Sequence, residues 1–203
     1  MKHTVASEDI ADSEEFRHLS TIDGIAVDLR YAGADNFVGR DLYSPFDCAW
    51  LHRDAAAALE RVVAWLAQHR PGHTALVLDA LRPQRVQEQL WAALAGTDLQ
   101  MYLANPERGS IHSFGMALDI TILDGAGREL DMGTGFDDMT DRSHPALEPQ
   151  MLARGEITQA HVANRQMLRD AMFQAGFQGI NTEWWHYDCG DRNVVRQTFR
   201  RVL

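Results

Sequence analysis

Cysteine is almost missing from this sequence. Only Cys48 and Cys189 occur, with no Cys-x-x-Cys pair, which excludes a disulfide framework and a cysteine-rich zinc module. They read as isolated thiols, although Cys189 follows His186 closely enough to be weighed as a metal ligand. Long apolar runs are missing too, and no stretch approaches the ~18 apolar residues of a membrane span. Residues 1–16 are polar and acidic, without the apolar run of a signal peptide. The expected location is the cytoplasm, or the periplasm for a protein whose leader has been removed. Positive charge is scarce: 19 Lys and Arg face 29 Asp and Glu, for a net charge of −10. The basic residues form no block or stripe, so neither nucleic acid nor anionic membrane is an expected partner. No obligate protein partner is implied, and no repeat, low-complexity tract or domain linker stands out.

What is present is an ordinary globular composition, 45% apolar and 24% charged over 203 residues. Residues 1–203 are expected to form a single domain with its own core. Ile25 to Tyr31 alternates as a strand does, and Ala32 to Tyr43 has loop composition. From His52 to His69 the apolar residues Ala55, Leu59, Val62, Val63 and Leu66 recur at helical spacing, and Pro71-Gly72 stops the helix. Thr74 to Leu81 reads as a buried strand, followed by Arg82 and a helix from Pro83 to about Leu94. Gln100 to Gly109 reads as a loop. Met116 to Leu123 reads as a strand with Ala117, Asp119 and Thr121 on one face, closed by the turn from Asp124 to Gly127. Leu130 to Gln159 is irregular and acidic, long enough to suggest a functional loop. A helix over His161 to Ala175, ended by Gly176, and a short aromatic strand over Thr182 to Asp188 complete the pattern. Strands and helices mix without strict alternation, which predicts an α+β fold with a small, largely antiparallel sheet flanked by helices.

Two clusters carry the chemistry: Ser110-Ile111-His112-Ser113-Phe114-Gly115-Met116-Ala117-Leu118-Asp119, and Glu183-Trp184-Trp185-His186. Two imidazoles and one carboxylate leave a fourth tetrahedral position open, a catalytic zinc pattern rather than a closed structural one. Metal ligands are therefore expected at His112, Asp119 and His186, for one Zn2+ per chain. The odd spacing of His112 and Asp119 does not suit one face of a straight strand. Gly115 relaxes it if residues 110–115 form a turn. Glu183 and His186 need a bend near Glu183 for the same reason. Glu183, spare and adjacent, suits a general base, and Arg82 at the end of a buried strand suits a group that stabilises an oxyanion.

Simpler readings stand beside these. A lone histidine is more often a hydrogen-bonded structural residue, the reading taken for His3, His18, His52, His69, His73 and His161. Trp184 and Trp185 suit core and wall packing, Arg82 alone could be a surface ion-pair residue, and Asp131, Asp137, Asp138 and Asp141 could form a solvated loop without calcium-loop spacing.

The pattern Ser-x-His-x-x-Gly-x-Ala-x-Asp with a later Glu-x-Trp-His resembles the zinc D,D-peptidases that share a fold with the hedgehog signalling domain, most closely the D-alanyl-D-alanine dipeptidase (VanX-type) family. The resemblance covers most of the chain. It includes Asp28-Leu29-Arg30-Tyr31 with Asn36-Phe37, Asp79-Ala80-Leu81-Arg82-Pro83, Asp131 to Asp137 with Arg142-Ser143-His144, and Ala163-Asn164-Arg165 before Gly176-Phe177. It implies that His112, Asp119 and His186 bind zinc, that Glu183 is the base, and that Arg82 stabilises the tetrahedral intermediate. Ser110 and Asp137 match positions near the substrate, with Asp137 suited to the free amino terminus of a dipeptide. Phe114 and Leu81 depart from the family pattern and are expected to bear on the pocket wall.

The implied activity is hydrolysis of D-Ala-D-Ala, or a related dipeptide with D residues, to free amino acids. A D,D-carboxypeptidase acting on longer peptidoglycan peptides would use the same zinc centre with an open amino-terminal side. A non-catalytic, zinc-stabilised binding module would need neither Glu183 nor Arg82.

Overall fold

The computed structural model describes residues 4–203, so His3 lies outside the described residues. The strands are β1 (Thr4–Val5), β2 (Phe16–His18), β3 (Ile25–Val27), β4 (Trp50–His52), β5 (Thr74–Asp79), β6 (Ala117–Leu123), β7 (Phe177–Gly179), β8 (His186–Cys189) and β9 (Arg201–Val202). The helices are α1 (Arg53–His69), α2 (Gln84–Ala93), α3 (Glu148–Ala153), α4 (Gln159–Gln174) and α5 (Arg192–Thr198), joined by short 3-10 turns. The main sheet has the order β3-β5-β6-β8-β7. Only the β3–β5 pair is parallel, and the other three pairs are antiparallel. This is the α+β class expected.

Strand β6 alternates two kinds of side chain. Leu118, Ile120 and Ile122 join Leu59, Val62 and Leu66 of α1 and Leu168, Ala171 and Met172 of α4 in one core. Burying each such Leu or Ile contributes roughly 1.5–3 kcal/mol, so this face anchors the sheet. Asp119 and Thr121 point the other way, toward the connecting loops. Helix α1 begins at His52, whose ring accepts from the Asp54 amide. Helix α4 begins with a capping box between Thr158 and His161, so it starts at Gln159, slightly before the expected His161.

Several boundaries differ from expectation. The strand expected over Ile25 to Tyr31 ends at Val27, and Arg30–Ala32 turns instead, placing Tyr31 in the interior at 1% exposure. Asn36 holds this turn by donating to the carbonyls of Arg30, Gly33 and Arg40. Strand β5 ends at Asp79 with a register shift between Val77 and Asp79. Pro83 caps α2 rather than lying inside its first turn. The segment expected as a loop over Gln100 to Gly109 includes part of a 3-10 turn, Asp98–Tyr102. The irregular stretch from Leu130 contains α3, and the expected strand over Thr182 to Asp188 shrinks to His186–Cys189. Local pattern gave no sign of these because tertiary partners fix them. No described helix is long and apolar enough to cross a membrane.

Candidate metal centre and substrate cavity

Strand register places the cluster. Asp79 of β5 is opposite Asp119 of β6, and Asp119 is opposite His186 of β8. Directly paired residues carry their side chains on one face, about 4.5–5.5 Å apart at Cβ. His112 reaches this row from the 3-10 turn Ile111–Phe114, which Gly115 ends in a left-handed conformation (φ 64°). A Cβ on Gly115 would lie 2.6 Å from the His52 amide nitrogen, so glycine is required there. On the other side, the chain bends at residues 184–185 before β8, which brings Glu183 round to the cavity.

The ligand atoms form a nearly equilateral triangle. His112 Nε2 lies 3.1 Å from His186 Nδ1 and 3.3 Å from Asp119 Oδ1, and His186 Nδ1 lies 3.0 Å from Asp119 Oδ1. Four bonds of about 2.0–2.1 Å at tetrahedral angles require donors about 3.3–3.4 Å apart. The triangle is thus within a few tenths of an ångström of a tetrahedral face. His112 Nδ1 donates to the Ala80 carbonyl at 2.8 Å, which leaves the Nε2 lone pair facing Asp119. Two lone-pair donors facing each other call for a cation or a proton between them, so the set fits a metal such as zinc. These three residues form the group of possible ligands found among the described residues. Cys189 is not in it, nor are His69 and His73.

An outer layer orients the ligands. His186 Nε2 pairs with Asp188 Oδ1 at 2.9 Å, and Asp188 also accepts from Arg192. Asp119 Oδ2 accepts from Arg82 Nη2 at 3.1 Å. Asp79, fully buried, accepts from Arg82 Nε at 2.8 Å and from the Tyr43 hydroxyl. Arg82 Nη1 donates to Gln87 at 3.1 Å, and the guanidinium lies 5.0 Å from the centre of the Tyr31 ring. Arg82 is therefore a buried cation held from several sides, not a surface ion-pair residue.

Burial and charge tune the site. Burial pushes the Glu183 carboxyl up to about 7, opposed by His186 and reinforced by Asp119. Burial also holds Asp137 well above the usual carboxylate range, against the pull of Arg82. For His186 burial acts downward, but Asp188 and Asp119 outweigh it and bring the ring to about 10. Burial acts upward on Asp119, yet His112 and His186 hold it below the usual range. Burial opposes the charge of Arg82, but Asp79 above all keeps it protonated.

The cavity over this centre measures about 420 Å³, within the range of small-molecule sites. Ser110, Arg82, Asp137, Glu183 and the three candidate ligands all line it. Every site residue read from the sequence is therefore gathered here. Asp137 has φ 59°, the positive-φ position outside glycine among the described residues, and strain of this kind concentrates at functional sites. Its Oδ1 accepts from Tyr31 at 3.0 Å, while Oδ2 is buried without a partner. Trp185 forms wall, and Trp184 packs in the core with its indole donating to Thr134 at 2.8 Å. Phe114 and Leu81 are buried in apolar clusters and do not line the cavity, so the expected effect on the pocket wall is corrected. Burial raises the thiols of Cys48 to about 12 and of Cys189 to about 11, as suits inert, isolated thiols.

Sequence reading gave no role to Asp79, Tyr31 or Asp188. Asp79 and Tyr31 lie in segments noted for their resemblance, and Asp188 lies two positions beyond His186 on the same strand face. That spacing is the signal that could have found it.

Comparison with known proteins agrees with this geometry. A family model described as D-ala-D-ala dipeptidase, of the M15 peptidases, matches residues 12–202. The D-alanyl-D-alanine dipeptidase of Escherichia coli (strain K12) is 38% identical over 180 residues, covering 88% of this chain and 86% of that protein. The enzymes of the same name from Enterococcus faecalis (strain ATCC 700802 / V583) and Enterococcus faecium are 33% and 32% identical. They cover 83% and 88% of this chain, and 87% and 92% of their own lengths. With a candidate metal-binding triangle, a buried arginine and a family match over nearly its whole length, the chain belongs to the D-alanyl-D-alanine dipeptidase family of M15 peptidases.

Proposed function

We propose that this protein hydrolyses D-Ala-D-Ala, or a closely related dipeptide of D residues, with one Zn2+ held by His112, Asp119 and His186. The observation that carries the dipeptide reading is Asp137 Oδ2, a buried carboxylate oxygen without a partner. A substrate ammonium supplies the partner it lacks through a charge-assisted hydrogen bond. Tyr31, which lines the cavity beside Asp137, is packed against Phe37, Tyr43 and Phe136. A buried carboxylate oxygen set for a free ammonium disfavours the carboxypeptidase reading, whose substrates are acylated at that nitrogen.

Zinc bound at the triangle supplies Lewis acidity and a lowered water pKa. Glu183 takes the proton of the attacking water and delivers it to the leaving amine nitrogen as the C–N bond breaks. A carboxyl raised to about 7 suits both halves of that transfer. Arg82 commits Nε to Asp79, Nη2 to Asp119 and one Nη1 hydrogen to Gln87. The other Nη1 hydrogen remains for the developing oxyanion. Ser110, at 3% exposure on the cavity wall, offers a hydroxyl for positioning the dipeptide. The retained Glu183 and Arg82 disfavour a purely structural metal site.

The test compares D-Ala-D-Ala with N-acetyl-D-Ala-D-Ala on zinc-loaded protein, reading released D-alanine. A preference of roughly tenfold or more for the free dipeptide is expected, since a hydrogen bond between charged groups is worth about 1.5–3 kcal/mol. Preference for the acylated form would establish a carboxypeptidase instead.

A further inference from the structure

Away from Asp137, across the candidate metal ligands, the cavity lining turns basic. Arg108 enters from the loop before Ser110, and Arg192 and Arg196 stand one turn apart on α5. Residues four apart share a helix face, and these two share the face that meets the cavity. Of the three, only Arg192 forms an ion pair among the described residues, with Asp188. Arg196 donates Nε to the Gly109 carbonyl at 3.0 Å, while its Nη1 is buried without a partner. Burial, then repulsion from Arg108 and Arg192, holds the Arg196 guanidinium below its ordinary value. Two guanidinium groups lining the cavity therefore stand without an ion-pair partner among the described residues, in a chain whose net charge is −10. Charge of one sign gathered in a cleft concentrates and orients ligands of the other sign.

The direction of the substrate follows from the opposite pole. With the ammonium at Asp137 and the scissile carbonyl at the ligand triangle, the C-terminal residue extends past His186 toward Asp188 and the arginines. A dipeptide's own carboxylate pairs with one of the two unpartnered guanidiniums, and one remains. We propose that Arg108, Arg192 and Arg196 form an anion subsite on the leaving side, selecting dipeptides whose C-terminal residue carries a second carboxylate, such as D-glutamate or D-aspartate. The inference rests on the dipeptidase reading above. Arginine suits this role because its planar fork can hold two carboxylates at once.

The experiment measures kcat/KM of the zinc-loaded protein for D-Ala-D-Glu and its neutral isostere D-Ala-D-Gln, with D-Ala-D-Ala alongside. The expected result is a preference for D-Ala-D-Glu of about tenfold at low salt, shrinking as ionic strength rises. It should fall toward unity in Arg108→Gln, whose exposed side chain can be replaced without disturbing the core. Cleavage of D-Ala-D-Ala with D-Ala-D-Glu no better than D-Ala-D-Gln overturns the subsite and leaves the dipeptidase reading intact. If no dipeptide is cleaved, the dipeptidase reading falls, and calorimetric binding of the same pair still decides the subsite. Equal affinities would overturn it, and tighter D-Ala-D-Glu binding lost in Arg108→Gln would support it.

Discussion

Replacing Asp137 by Asn should separate substrate recognition from stability. Tyr31 donates to Oδ1 at 3.0 Å, and the Asn carbonyl can accept the same bond. Asn also tolerates the positive φ of 59°, so the backbone need not change. What is lost is the charge beside the substrate ammonium, worth about 1.5–3 kcal/mol, or roughly 10- to 150-fold in kcat/KM for D-Ala-D-Ala. The folded protein should meanwhile gain stability near neutral pH. Burial raises the Asp137 pKa above its unfolded value of about 3.9, so the folded state holds the proton more tightly. Wild-type stability is then fully present below the unfolded pKa and is lost as pH rises through the folded pKa. The Asn variant has no such loss, and its advantage should grow as pH rises. Steady-state kinetics with free and N-acetylated dipeptide, together with thermal melts across that pH range, give both readouts. Wild-type rates on D-Ala-D-Ala, equal losses on both substrates, or a variant less stable at neutral pH would refute the reasoning.

Arg82→Lys keeps a positive charge but loses the fork that reaches Asp79, Asp119 and Gln87 together. It should lower kcat by roughly 10²–10³-fold while zinc content, measured by atomic absorption, stays at wild-type level. Activity should fall as pH drops through about 7, because Glu183 protonates there, with the limb moved lower by a bound dication. A pH–rate profile with no acid limb down to pH ~4, near an ordinary glutamate pKa, would argue against Glu183 as the base. Gly115→Ala places a Cβ 2.6 Å from the His52 nitrogen at a positive φ. It should cost more than about 1 kcal/mol in denaturant unfolding and weaken zinc retention in chelator competition, because the His112 turn must shift.

Periodic or chemically unusual segments made much of this legible beforehand. Helix α1 is legible in its apolar spacing, α4 in the segment from His161 to Ala175 that Gly176 ends, and β6 in its alternation around Asp119. The two clusters pointed to His112, Asp119 and His186 as a candidate metal set because imidazoles and carboxylates at those positions have few other joint uses, and the three side chains do converge. Gly115 was recognisable as a pivot, since a turn between His112 and Asp119 needed a residue at ease in left-handed geometry. The rest depended on long-range partners. Tyr31 leaves the β pattern because its hydroxyl meets Asp137, more than a hundred residues away. Asp79 falls inside the strand expected over Thr74 to Leu81, and its role comes from Tyr43 and Arg82 converging on one buried carboxylate. Phe114 is expected at the pocket wall because it departs from the family pattern inside the first cluster. In space it turns into the core, beneath the guanidinium of Arg201.

Metal-dependent dipeptide hydrolysis, with Glu183 moving the proton, is open to direct measurement. Its most direct measurement sets zinc-loaded wild-type protein beside Glu183→Gln, with D-alanine release from D-Ala-D-Ala and bound zinc determined on the same samples. The expected result is two D-alanines per dipeptide from the wild type, and release reduced at least about 10²-fold in the variant with one zinc still bound. No release by the zinc-loaded wild type, or undiminished release by Glu183→Gln, would contradict it.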